Sequence, residues 1–217
     1  MWQGEEPRKQ LLDREAGLTG YELYFRSMEL GFGLREAIEK KLRTCHKIRL
    51  FDIGCGKATA LRELKEIFGE KIFTIGLDAI KEKEHGIDEF IAANALQTEF
   101  PKNCDVVVSF RAMHEMGNCK KTMEKIEKSL KKGGEAFLSI RCQEFKENRI
   151  QNLGKITKTD IDFLLETLRK KRFNSLKAEG NHVPMLLQGI VVDKKTGEKS
   201  IGAVEYIAGV NVFLKKH

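Results

Sequence analysis

Residues 50–64, LFDIGCGKATALREL, decide the fold. An apolar run carries a single acid, Asp52, and breaks at Gly54-Cys55-Gly56; beyond it Leu61, Leu64 and Ile67 recur at helical spacing. A buried strand that turns through glycines into an amphipathic helix is the first unit of an alternating β/α chain. In such a chain the turn after the strand is where a ligand sits.

What that ligand is follows partly from what the turn lacks. A dinucleotide turn needs a third glycine, in G-x-G-x-x-G, and Thr59 stands in its place. The phosphate loop G-x-x-x-x-G-K-[ST] is absent too. The two glycines let a ligand approach the backbone closely. Asp52 would repel a pyrophosphate but accept a hydrogen bond from a cationic amino group. A second acid, Asp78, ends the next strand, KIFTIGLD (71–78), at the place where a carboxylate accepts from ribose hydroxyls. A ligand with a ribose, an ammonium and no phosphate fits: S-adenosylmethionine.

Outward from the turn the alternation continues. FIAAN (90–94) reads as a third strand, and DVVVSF (105–110) as one covered on both faces. Met123, Ile126 and Leu130 mark a helix expected to stop at Gly133-Gly134, followed by the strand EAFLSI. Thr157 and Asp160 open a helix striped by Ile161, Leu164, Leu165 and Leu168. SLKAEG, MLLQGIVVD and KSIGAVEYIAGVNVFLKK then read as strands, with a hairpin at 194–197. Upstream lie two helical stripes, Tyr21, Tyr24, Phe25, Met28 and Leu34, Ile38, Leu42. The expected fold is α/β: a doubly wound, mostly parallel seven-stranded sheet with an antiparallel C-terminal edge and extra N-terminal helices. Residues 1–46 form a helical lid or extension and 47–217 the main domain, with 182–205 inserted between the last strands.

The totals narrow the class. The 217 residues suit one α/β domain with an elaboration, and 41% hydrophobic content excludes wholesale disorder. No apolar run approaches the ~20 residues of a bilayer helix, and MWQGEEPRKQ is no secretory signal, so no membrane partner is expected. Five scattered cysteines without C-x-x-C exclude a disulfide framework and a zinc site; no metal is expected, and the location expected is cytoplasmic. A net charge of +7 admits RNA as a partner. Basic clusters such as Lys131-Lys132 and 169–172 are better accounted for as solvated faces and helix C-termini.

FDIGCGKA, the GLD ending in Asp78, Asn94-Ala95, DVVVSFRAMHEM and LKKGGEAFLSI resemble, in order and spacing, the motifs of class I S-adenosylmethionine-dependent methyltransferases. The resemblance covers residues 47–140. It implies S-adenosylmethionine as cofactor, with Asp52, Gly54, Cys55 and Gly56 against its methionine part and Asp78 on its ribose. Asn94, where the family more often has Asp, would reach the adenine amino group, flanked by Ala79, Ile80 and Ala95. Phe110 and Arg111 complete the cofactor side, Arg111 either meeting the cofactor carboxylate or standing solvated.

The acceptor belongs after the fourth strand, at SFRAMHEM. His114 is a general base, a polar wall, or a histidine that braces its loop; Glu115 is a helix N-terminal acid on the acceptor side. Tyr21, Tyr24 and Phe25 form a lid or simply pack an extra helix. No Pro-Pro-Tyr turn follows Phe110, which argues against amino-methylating enzymes that act on adenine or glutamine. Cys142 lacks the companion Pro-Cys of the cytosine-methylating RNA enzymes and reads as an idle thiol. The favoured expectation is methyl transfer to a small molecule. The alternatives are an rRNA or tRNA methyltransferase, or a non-catalytic module that binds S-adenosylmethionine.

Overall fold

A computed structural model describes residues 34–79, 86–110, 112–146, 149–192 and 199–217. In chain order these form α1 (Leu34–Leu42), β1 (Ile48–Ile53), α2 (Thr59–Phe68), β2 (Ile72–Asp78), β3 (Glu89–Ala92), β4 (Cys104–Phe110) and a one-turn α3 (Met113–Met116). They continue as α4 (Cys119–Ser129), β5 (Leu130–Arg141), β6 (Gln143–Lys146), β7 (Arg149–Asn152), α5 (Lys158–Lys170), β8 (Arg172–Phe173), β9 (Leu176–Val192) and β10 (Lys199–Lys216). The main sheet has the order β3-β2-β1-β4-β5-β10-β9-β8. Strands β1 to β5 pair in parallel, and β10 and β9 add antiparallel. The eighth strand, one more than expected, is the two-residue β8 on Leu176 and Lys177.

The central strands β1, β2 and β4 are largely apolar because both their faces are covered. Along β1, Ile48 and Leu50 join a cluster with Leu34, Ile38, Leu61 and Leu64, while Phe51 and Ile53 join the opposite cluster with Met123, Ile126 and Leu164. β4 divides likewise, Val106 and Val108 to one side and Val107 to the other. Each such fully buried side chain is worth about 2 kcal/mol of transfer free energy.

Local signals set the boundaries. The expected Thr157–Asp160 capping box opens α5, and the same Asp160 carboxylate accepts from the Cys119 backbone N–H at the start of α4 (2.7 Å). One acid thus closes two helix ends. The end of α4 differs from expectation. The helix stops at Ser129, not at Gly133-Gly134, because Leu130 takes extended geometry and already pairs with Cys104. Residues 131–134 bulge from β5 before Glu135 pairs with Val106. A Cβ on Gly134 would lie 2.9 Å from the Cys104 carbonyl oxygen, so this return needs glycine.

Residues 182–205 lie largely in the outer parts of β9 and β10, which pair with each other from Leu176↔Lys216 to Val192↔Lys199. β10 pairs with β5 only over Gly209–Lys215, so the outer part is a two-stranded ribbon. The hairpin expected at 194–197 lies outside the described residues. The β6–β7 hairpin was not expected.

Candidate active site

Sheet order reverses between β1 and β4, and the crevice above their C-terminal ends is where open α/β sheets take ligands. Four segments meet there: the glycine turn after β1, the end of β2, the loop after β3, and the β4–α3 turn.

The glycine turn folds down onto β2. Gly54 and Cys55 N–H both donate to the Leu77 carbonyl (2.7 and 3.1 Å), and Gly56 N–H donates to the Asp78 carboxylate (2.9 Å). Gly54 and Gly56 both have positive φ (77° and 55°), where a Cβ is strained. Their surroundings differ. A Cβ on Gly54 would stand 2.1 Å from the Ala112 Cβ, whereas one on Gly56 would meet nothing within 4 Å. Of the two glycines expected to admit a ligand, then, Gly54 admits the β4–α3 turn and Gly56 faces open space. Cys55 turns away from that space: a Cβ on Gly76 would lie 2.7 Å from its sulfur. Burial first, then the carboxylates of Asp52 and Asp78, push the pKa of the Cys55 thiol far up, which keeps it protonated.

Asp52 is buried (1% exposed) at the end of β1, and Asp78 is half-buried with its carboxylate on the turn. Ala79 is exposed beside it. In the β3 loop the Asn94 side-chain oxygen accepts from Leu96 N–H (2.9 Å), which folds the loop into a local turn. Ala95 is buried, with its carbonyl holding the Lys125 ammonium. Ile80, Arg111 and the aromatic stripe Tyr21, Tyr24 and Phe25 lie outside the described residues.

Half-buried Phe110 ends β4, and Ser109 Oγ ties β4 to β1 by donating to the Ile53 carbonyl (3.0 Å). In α3, His114 is buried and its Nε2 lies 3.2 Å from Glu115 Oε1, an exposed carboxylate. The turn is clamped from behind. Lys155 N–H donates to the His114 carbonyl (2.7 Å), and a Cβ on Gly154 would sit 2.6 Å from that same oxygen. Gly154 and Ser109 are site-shaping residues that the sequence did not reveal. Gly154 lies in no motif, Ser109 lies within DVVVSFRAMHEM without being singled out there, and their partners are 40 or more positions away in the chain. Cys142 is fully buried and its thiol is pushed up to about 12, first by that burial. At neutral pH it is not a thiolate.

Residues 46–181 match the family model for a methyltransferase domain. The chain belongs to that family. It is an S-adenosylmethionine-dependent methyltransferase, and its residues fit that cofactor: Gly56 offers bare backbone beside open space, with the Asp78 carboxylate at the neighbouring strand end. Among solved structures, the fold is similar to TehB from Haemophilus influenzae, with a TM-score of 0.50 at 9% identity over 91% of this chain and 67% of that one. It is also similar to the YcgJ protein from Bacillus subtilis (TM-score 0.49, 14% identity, 84% and 99% covered). A third is the S-adenosylmethionine-dependent O-methyltransferase from Thermotoga maritima (TM-score 0.45, 13% identity, 84% and 65% covered). No curated protein matches the sequence. No helix of the methyltransferase among the described residues is long and apolar enough to cross a membrane.

Proposed function

We propose that the enzyme methylates a small-molecule acceptor that is neutral or cationic and docks over the end of β4 and α3. The observation that carries this reading is the sign of the charge around the donor crevice. Asp52 lies near the C-terminal end of β1, Asp78 at the end of β2, and Glu115 in α3 just beyond the end of β4. A polyanionic acceptor would meet this field at a cost, whereas an amine or a neutral hydroxyl would not.

The sulfonium of S-adenosylmethionine supplies an already activated methyl group, so catalysis consists largely of alignment and exclusion of water. The chain's residues have separable parts in this. Asp78 accepts from the ribose hydroxyls while the Gly56 N–H fixes its carboxylate. The bare turn at Gly56 lets the methionine portion lie against the backbone, with Asp52 below as counter-charge to its ammonium. Ala79, Asn94 and Ala95 bound the adenine, with Ile80 and Arg111 carried as further contacts. Phe110 separates donor from acceptor. His114, buried and clamped through its own carbonyl, is the polar wall that orients the acceptor, with Glu115 at the mouth. Residues 47–217 form the catalytic domain and 1–46 its helical lid or extension, with α1 packed into the core and Tyr21, Tyr24 and Phe25 the residues offered as lid.

The test is transfer of labelled methyl from S-adenosylmethionine into separated pools of small metabolites, protein and RNA. Asp78→Asn runs alongside. The reading expects label in the small-molecule pool, with donor affinity in Asp78→Asn weakened by about 10- to 100-fold through loss of charge-assisted hydrogen bonds. Label confined to RNA or protein would refute it.

A further inference from the structure

The topology also places a set of cations well away from the donor crevice. Register puts Ile48 level with Ile72, and Cys104 level with Leu130; Leu50 opposite Val106 brings the two pairs into line. The parallel strands therefore all begin on one edge, the N-terminal edge, opposite the crevice. β4 alone is seven residues long, which separates the two edges by about 20 Å.

On this edge stand Arg43 and Lys71 ahead of β1 and β2, Lys102 ahead of β4, Lys128 at the end of α4, Lys132 in the β5 bulge, and Lys171 capping α5. Lys41 donates to the Gly133 carbonyl, which fixes the end of α1 at the same edge. Most acids at this level are already engaged. Asp105 pairs with Lys131, Glu135 with Lys41 and Lys215, Glu70 with Lys47 and Lys65, and Glu127 accepts from Asn174 and Ser175. None of the six cations named first has a side-chain hydrogen bond or ion pair among the described residues. The helix macrodipole explains a cation at each helix C-terminus. It does not explain Lys102 or Lys132, which sit on strand leads and a bulge.

The cations follow the edge from β2 to β8, six inter-strand gaps or about 29 Å. A cavity of 380 Å³ lined by Glu99, Phe100, Lys102, Lys125 and Lys128 opens within this line. Phe100 is only 6% exposed beneath the Lys125 ammonium, so the cavity offers charge rather than a stacking face.

We infer that this edge docks single-stranded RNA through its phosphates, away from the methyl-transfer site and without reading base sequence. A line of unpaired point charges with no exposed aromatic ring beside it suits a phosphodiester strand. It does not suit a protein interface, whose centre is apolar and aromatic. Among the residues whose side chains are described, Ile67 is the one large hydrophobic residue that is exposed.

The test is fluorescence anisotropy with a labelled uridylate dodecamer across a salt series. Phosphatidylserine vesicles are assayed in parallel. With about six phosphates neutralised, log K should fall against log salt with a slope near −4. Lys102→Glu/Lys132→Glu/Lys171→Glu should weaken binding at least ~10-fold at about 50 mM salt and flatten the slope. Lys120→Glu/Lys121→Glu/Lys158→Glu makes the same charge change at the helix starts on the crevice side and should have a markedly smaller effect. S-adenosylmethionine affinity, measured calorimetrically, should be unchanged in the edge variant, which separates this inference from the reading of the donor site. Equal weakening by the two triple variants, absence of binding at low salt, or binding to vesicles but not to RNA would each overturn it.

Discussion

Gly54→Ala tests whether the glycine turn and the acceptor turn are built as one unit. The added Cβ would lie 2.1 Å from the Ala112 Cβ and 3.3 Å from the Met116 methyl, and φ at Gly54 is +77°. Carbon atoms pack at about 3.5–4.0 Å, so one turn must retreat by roughly 1.5 Å. Overpacking of this kind costs about 1–3 kcal/mol and the left-handed backbone a further 1–2, so the substitution should cost about 3–4 kcal/mol. Ala112→Gly separates the two contributions. It removes the clashing carbon and leaves the Ala112 Cα 3.6 Å from the new methyl, an ordinary contact. The double variant should therefore recover the steric part, about 2 kcal/mol, and retain the backbone part. Urea unfolding of the four proteins measures the cycle, and calorimetric titration with S-adenosylmethionine should follow the same order. Additive effects, with no recovery in the double variant, would refute the reasoning.

Two further perturbations probe the scaffold. Asp160→Ala removes the acceptor of Cys119 N–H and of the Thr157 N–H and hydroxyl at once. It should cost about 3 kcal/mol in urea unfolding, more than an ordinary helix cap, because a second helix start loses its partner. Asp88 offers a pH handle. Burial raises its pKa, but this is outweighed by the Thr74 N–H, the Lys65 ammonium and the Thr74 hydroxyl, which together hold it below the ordinary carboxylate value. A depressed folded-state pKa gives stability that is fully present above the unfolded value near ~4 and lost as pH falls through the folded one. Asp88→Asn should therefore destabilise at neutral pH and shrink the loss of stability seen on acidification below that point; thermal unfolding from neutral pH down to about pH 3 checks both.

The parts of the molecule legible in the sequence were those governed by local pattern. The β1 run, the Gly54-Cys55-Gly56 break, the Thr157–Asp160 box and the antiparallel end each follow from residues within one or two turns of each other. Asp78 was legible because strand order fixes which acid faces the turn. What escaped depends on distant partners. The α4 boundary followed Gly133-Gly134 as a stop signal, but the pairing of Leu130 with Cys104, 26 positions away, claims the chain earlier for the sheet. Gly54 read as ligand space until Ala112 was in place. The His114 clamp rests on the Lys155 backbone, and no side-chain pattern signals a main-chain hydrogen bond. The basic edge was visible only as scattered clusters. Of those, Arg169 and Lys170 prove to be paired with Glu166, while Lys102, Lys128 and Lys132 share an edge only because strand register aligns them.

The position of β10 bears on how the chain emerges from a ribosome. β10 lies between β5 and β9, so β8 and β9 are made before the strand that joins them to the sheet. During synthesis β1 to β5 can assemble as a parallel unit, with the open edge of β5 waiting for β10. Over that interval an apolar strand edge is unpaired and open to association with other nascent chains. The strand of this sheet made after all the others therefore decides when the domain stops being sticky.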